Sequence, residues 1–175
     1  MISGKNIFGF LLFLSGTIFS DSLPDAIGKI AIVVSEYHSQ ITSQLLKSSL
    51  NYLQENNIKD CDIDVIYVPG SYEIPYVAKN IALSQLYSAI ICIGAILTKN
   101  NLQAPYIAQN VSRGIYEISM ALDIPITWGI LLFEDVQETL KMLDANENNN
   151  GWDAAHAAIR MIRFKKELKQ KFQTL

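Results

Sequence analysis

The residues able to do chemistry fall in a few short stretches: Ser35-Glu36-Tyr37-His38, Pro69-Gly70-Ser71-Tyr72-Glu73, Ile96-Leu97-Thr98 with the polar run after it, and Trp128 in PITWGILLF. Tyr37, Tyr72 and Trp128 offer flat π faces. Glu73 and the backbone amides of a helix start offer hydrogen bonds, a combination suited to a polar heterocycle. Tyr72 and Trp128 are equally suited to closing a hydrophobic core. No G-x-G-x-x-G or G-x-x-x-x-G-K run points to a dinucleotide or triphosphate, and no Ser/His/Asp arrangement can be placed. With 2 cysteines, Cys61 and Cys92, and 2 histidines, His38 and His156, no His/Cys metal cluster or disulfide framework is expected.

These stretches must be positioned by the elements around them. KIAIVVS (29–35) reads as a buried strand, and Ile41, Leu45, Leu46, Leu50 and Leu53 share one face of a helix over about 39–56. DIDVIYV is a second strand, stopped by Pro69-Gly70, and Pro75 stands in the first turn of the helix that follows. YSAIICIGAIL, without polar alternation, is a third strand before a helix over about 102–122. PITWGILLF (125–133) is the fourth, and EDVQETLKML opens a helix with paired acids, broken by NENNNG (146–151) before a last helix. Apolar strands alternating with helices predict a four-stranded parallel sheet covered on both faces, a three-layer αβα sandwich of the α/β class. Ligands of such sheets gather at the carboxyl ends of the strands, where the stretches named above lie.

The chain of 175 residues, 50% hydrophobic, is long enough for one good core, and a net charge of −3 argues against a nucleic-acid partner. RMIRFKKELKQK (160–171) is the one local basic run and reads as a solvated helix end. Residues 1–26 stand apart from the domain over 27–175. IFGFLLFLSGTIF (7–19) after Lys5 fits either a targeting or membrane-associated leader or an arm that packs in an assembly. It is short for a membrane span. Asn110-Val111-Ser112 matches a glycosylation acceptor but falls inside a predicted helix.

IAIVVSEYHSQIT, VPGSYEIPYVAKNIA, IICIGAILTKN, PITWGILLFEDVQETLKML and NNGWDAAHAAIRMI occur in this order over about residues 27–164. In order and spacing they resemble 6,7-dimethyl-8-ribityllumazine synthase of riboflavin biosynthesis, and V-P-G-x-[FY]-E-I-P is the most specific of the motifs. The resemblance implies a flavodoxin-like sandwich in the cytoplasm, assembled into pentamers or sixty-subunit capsids, with sites between subunits. It implies a transferase without a cofactor. The amine of 5-amino-6-(D-ribitylamino)uracil attacks the ketone of 3,4-dihydroxy-2-butanone 4-phosphate to give an imine, and phosphate and water leave as the second ring closes. By motif match Ser71, Tyr72, Glu73 and Ile74 fall in the lining for the pyrimidine and ribityl chain, with Ile96 and Leu97 at the end of the third strand. Tyr37 falls where a family aromatic stacks on the pyrimidine, and Trp128 replaces a Phe that reaches a neighbouring subunit's site.

The chemistry strip departs from the family pattern. Where the family reads G-A-V-I-R-G-[ED]-T-x-H-[FY]-[DE]-Y, this chain reads GAILTKNNLQAPY from Gly94 to Tyr106. Gln103 stands at the general acid/base histidine and cannot exchange a proton near neutral pH. The phosphate loop becomes Lys99-Asn100-Asn101, with Lys99 at a glycine position. Met142 stands where the family's E-R-A-G supplies a phosphate-clamping Arg, and Lys141 points about 100° away around the helix. Residues 146–150 lack the further cations of the family's K-x-G-N-K-G. Three readings follow: a slow but real synthase of weakened activity, since proximity of two bound reactants supplies much of the acceleration, an inactive member serving as an oligomeric shell or flavin-precursor-binding protein, or a decaying copy.

Overall fold

The computed structural model describes residues 27–145 and 149–173. The apolar leader or arm read over residues 1–26, and residues 146–148 of the Asn-rich break, lie outside the described residues.

Four strands form one parallel sheet: β1 (Ile30–Ser35), β2 (Ile63–Val68), β3 (Ala89–Leu97) and β4 (Ile126–Phe133), in the order β2-β1-β3-β4. The register pairs Ile30 with both Ile63 and Ala89, and Ile90 with Ile126. Side chains alternate along a strand, so both neighbours of a central strand residue must be apolar when each face is covered. Ile30, Ile32 and Val34 accordingly enter one core layer, while Ala31 and Val33 enter the other.

Among the described residues five α-helices cover the two faces. α1 (Ser39–Glu55), α4 (Val136–Ala145) and α5 (Asn150–Gln173) pack over one face. α2 (Ile74–Ser84) and α3 (Ala104–Leu122) pack over the other. The predicted stripe of α1 is the buried one, with Ile41, Leu45 and Leu53 fully enclosed. The expected three-layer αβα sandwich is thus observed, with element ends within about two residues of those read from periodicity. Among the described residues no helix is long and apolar enough to cross a membrane.

Two local devices fix the ends of helices that matter for the site. Asp135 caps α4: its Oδ1 accepts from the Glu138 amide at 2.9 Å, and its carbonyl accepts from the Thr139 hydroxyl at 2.6 Å. The start of α5 lies directly on α1. A Cβ at Gly151 would come within 1.9 Å of the Leu45 carbonyl oxygen, so only glycine permits this approach. Ser49 donates to the Gly151 carbonyl at 2.9 Å, and the buried Asn149 donates to Ser48 at 2.7 Å while accepting from the Gly151 amide at 3.0 Å. The predicted break before the last helix is therefore a packed corner as well as a loop.

Candidate active site

The carboxyl ends of β1, β2 and β3 enclose a cleft of about 180 Å³. Tyr37, Ser71, Tyr72, Glu73, Ile96, Leu97 and Asn101 line it together with His38, Gly70, Ala95 and Ile107. Three sequence stretches far apart in the chain thus meet where a parallel sheet ordinarily holds its ligand.

Tyr37 is brought there by continued pairing beyond the strand. The Glu36 amide donates to the Val68 carbonyl at 2.8 Å and the Tyr37 amide to the Pro69 carbonyl at 3.2 Å, extending the β1–β2 ladder into the turn. Tyr37 is 66% exposed, a flat surface open to a planar ligand. Next to it, His38 takes φ 57°, and its carbonyl accepts from the amides of Ile41 and Thr42 to begin α1. The left-handed backbone turns the chain from strand to helix in one residue. The imidazole sits between two rings, 4.5 Å from Tyr37 and 5.0 Å from Phe133, both edge-on. Partial burial lowers its pKa from 6.5, so the ring is neutral near neutral pH.

The turn after β2 sorts its side chains by direction. Ser71–Glu73 form a short 3-10 turn ahead of α2, closed by the Glu73 amide on the Gly70 carbonyl at 3.3 Å. Ser71 is buried and its hydroxyl points at the Ala95 carbonyl of β3, 3.5 Å away. Gly94 makes room for it: a Cβ there would stand 2.5 Å from the Ser71 Oγ. Tyr72 and Glu73 face outward, while Ile74 is wholly buried in the core beneath α2 and presents no side chain to the cleft. Of the predicted pyrimidine-side residues, Ile74 and Trp128 are the two that do not line it. Trp128 lies in mid-strand, opposite Cys92, partly buried against the layer under α2 and α3.

The loop after β3 is held by its own polar residues. Asn101 donates to the Leu97 carbonyl at 2.9 Å and accepts from the Gln103 amide at 3.0 Å, so both side-chain functions staple the loop. Thr98 is folded back onto the Phe133 carbonyl through both its amide and its hydroxyl. The left-handed residue of the loop is Asn100, at φ 56°, and Lys99 keeps negative φ. The glycine-like conformation therefore stands one residue beyond Lys99, at a residue type that tolerates it. Gln103 is exposed at the N-terminus of α3, and Lys99 is exposed beside it.

Lys99 and Lys141 both act on one carboxylate. Asp135 is held below the usual carboxylate range, first by the Glu138 amide and further by the Gln137 amide, Lys99 and Lys141. The charges of Lys99 and Lys141 thus both reach Asp135, just beyond the carboxyl end of β4. Met142, 54% exposed on α4, lies over the opposite face of the sheet from Gln103 at the head of α3.

In the sequence Asp135 reads as one of two acids in a first helical turn, and His38 as part of a strand-end stretch with no role of its own beyond the absence of a metal cluster. The available signal was position, since His38 is one of 2 histidines and directly follows a strand's carboxyl end.

A parallel three-layer sandwich with an aromatic and hydrogen-bonding cleft at its strand ends defines a protein of the α/β class. The family model for 6,7-dimethyl-8-ribityllumazine synthase matches residues 28–166. The 6,7-dimethyl-8-ribityllumazine synthase of Kosmotoga olearia is 36% identical over 140 residues, covering 80% of this chain and 90% of that protein. The chain belongs to the 6,7-dimethyl-8-ribityllumazine synthase family.

Proposed function

We infer that the chain condenses 5-amino-6-(D-ribitylamino)uracil with 3,4-dihydroxy-2-butanone 4-phosphate in riboflavin biosynthesis, as a transferase without a cofactor. The observation that carries this reading is the convergence of Tyr37, the Tyr72–Glu73 turn and the Ile96–Leu97 strand end on one cleft in a chain of this family. Tyr37 supplies the stacking surface, and Glu73 supplies hydrogen bonding to the ribityl or pyrimidine polar edge. Backbone at the start of α2, with Ile74 anchoring it from below, shapes the rest. Holding the amine and ketone together supplies much of the rate, because a positioned pair reacts with a large effective molarity.

Assembly supports the same reading. A cleft of about 180 Å³ is smaller than the 300–1,000 Å³ ordinary for a small-molecule site, as expected of one wall of a shared site. Larger cavities, of about 400 and 470 Å³ at the other end of the sheet around Asp123 and Lys165 and of about 360 Å³ beside Arg160 and Phe164, are lined by none of Tyr37, Ser71, Tyr72, Glu73, Ile96 or Leu97. Along α3, Tyr106, Tyr116 and Met120 are 69%, 65% and 67% exposed, an apolar surface that contact with a neighbour would cover. Met142 and Trp128, remote from the cleft of their own chain, would meet a neighbour's cleft in such an assembly. Light scattering on the purified protein is expected to give a pentamer or a multiple of it, and a clean monomer at micromolar concentration would remove the shared-site argument.

The direct test incubates the purified protein with both substrates and follows lumazine fluorescence and released phosphate. Equal amounts of the two products are expected. Pyrimidine binding without turnover would replace this reading with that of an inactive shell or precursor-binding protein. In the same preparation, Tyr37→Ala is expected to raise the Kd of a ribityllumazine analogue roughly fivefold, the effect of about 1 kcal/mol of lost stacking. Calorimetry measures it, and an unchanged Kd would move the pyrimidine off Tyr37.

A further inference from the structure

We propose that His38 carries the proton between the attacking amine and the carbonyl oxygen in this chain, work that the Gln103 carboxamide, neither an acid nor a base near neutrality, does not do. The proposal rests on the lumazine-forming activity inferred above and names the residue that performs its acid–base step.

Three observations place His38 in that role. It lines the cleft directly, beside the tyrosine surface and opposite the Ser71–Glu73 turn. Its ring is fixed from both sides, edge-on to Tyr37 at 4.5 Å and to Phe133 at 5.0 Å, and its backbone is fixed by the start of α1. It is the one imidazole of the cleft: His156, on α5, is exposed and packs near Tyr52 at 5.5 Å. Imidazole is the side chain whose ordinary titration falls between pH 5 and 8, so it gives and takes a proton at small cost near neutrality. Burial keeps the ring in its neutral, accepting form there. The titratable groups lining or bordering the cleft are Tyr37, Tyr72 and Glu73, with Glu36 preceding Tyr37 and Glu134 and Asp135 following Phe133. None of these is an imidazole.

The step balances without any further reactant. The amine nitrogen bonds to the ketone carbon while the C=O π pair moves onto oxygen. His38 takes a proton from the nitrogen and passes it to that oxygen, giving a carbinolamine. A second passage, from nitrogen to the hydroxyl, breaks the C–O bond, releases water and leaves C=N with the imidazole neutral again. A pyrimidine stacked on Tyr37 holds its amine within reach of the neighbouring imidazole, directly or through one water.

The test is His38→Asn in the full-length protein, assayed with both substrates across pH. Asparagine tolerates φ 57° and so keeps the turn into α1. The kcat is expected to fall about 10²- to 10⁴-fold, with KM for both substrates nearly unchanged. The wild-type kcat is expected to decline on the acid side below pH 6.5, where His38 becomes protonated and can no longer accept. That acid limb is expected to be absent from the variant, and Gln103→His in the same background is expected to return part of the turnover. Wild-type kcat in His38→Asn overturns the proposal, as does a lowered kcat that keeps the same acid limb, which would mark a structural role. An absence of lumazine from the wild-type protein overturns the activity itself, so the two failures are distinct.

Discussion

Arginine at position 142 is expected to lower KM for the butanone phosphate by roughly 10- to 150-fold, the equivalent of about 1.5–3 kcal/mol for charge-assisted hydrogen bonds to phosphate. Met142 is half-exposed on α4 with no charge of its own, and a guanidinium there presents a bidentate fork to an anion. The neighbouring cations act on Asp135, whose carboxylate remains ionised well into acid, so their charge is partly compensated before any substrate arrives. Met142→Arg adds a positive charge on a helix whose Glu138 stands four residues before it. Steady-state kinetics with each substrate varied in turn separates the effects: KM for the phosphate substrate is expected to fall while that for the pyrimidine stays in place. If KM for the phosphate does not move, the anion is held elsewhere. Lys99→Ala and Lys141→Ala then identify the holder by raising the same KM.

Gly151→Ala is expected to destabilise the fold by about 3 kcal/mol, the upper end of the ordinary cost of overpacking. The added methyl would stand 1.9 Å from the Leu45 carbonyl oxygen and 2.7 Å from its carbon, and these are backbone atoms of a helix packed on the core. No side-chain rotation relieves such a contact, so α5 must move away from α1, taking Ala155 and Ile159 with it. For a chain of 175 residues this corresponds to a fall of about 6–12 °C in Tm, read by calorimetry or circular dichroism. Ser49→Ala, which removes only the hydrogen bond to the Gly151 carbonyl, is expected to cost about 1 kcal/mol. A Gly151→Ala protein that melts with the wild type would mean that α5 leaves α1 without loss, and the corner formed by Asn149 and Ser48 would not be structural.

The secondary structure was legible because burial writes itself into local periodicity. Strands covered on both faces must be apolar nearly throughout, and IAIVV, ahead of the buried Ser35, and AIICIGAIL are. A helix with one covered face repeats every three to four residues, as Ile41, Leu45, Leu46 and Leu53 do. Pro69-Gly70 and Pro75 mark where one element must stop and the next begins. From parallel strands alone it follows that the chemistry lies at their carboxyl ends, and Tyr37, Tyr72, Glu73 and Leu97 were found there together.

What the turn residues do was decided only by contacts between segments distant in the chain. Ser71 and Glu73 are two positions apart, yet one is pinned to β3 and the other faces outward, because Gly94, twenty-odd residues away, leaves a hollow that only Ser71 can enter. Asn101 reads as a possible phosphate ligand in the sequence and is a loop staple in the fold, its amide spent on Leu97 and Gln103. Met142 and Gln103 lie over opposite faces of one sheet, since α3 crosses from β3 to β4 on one side while α4, after β4, folds back over the other. His38 depends most on the tertiary structure. A histidine after a strand has no assigned direction until its backbone turns left-handed into α1 and the ring is caught between Tyr37 and Phe133, a residue of the far edge strand. Sequence periodicity records which side of an element is buried. The direction of a side chain at an element's end depends on what the neighbouring strands leave open, and that is a property of the packed sheet.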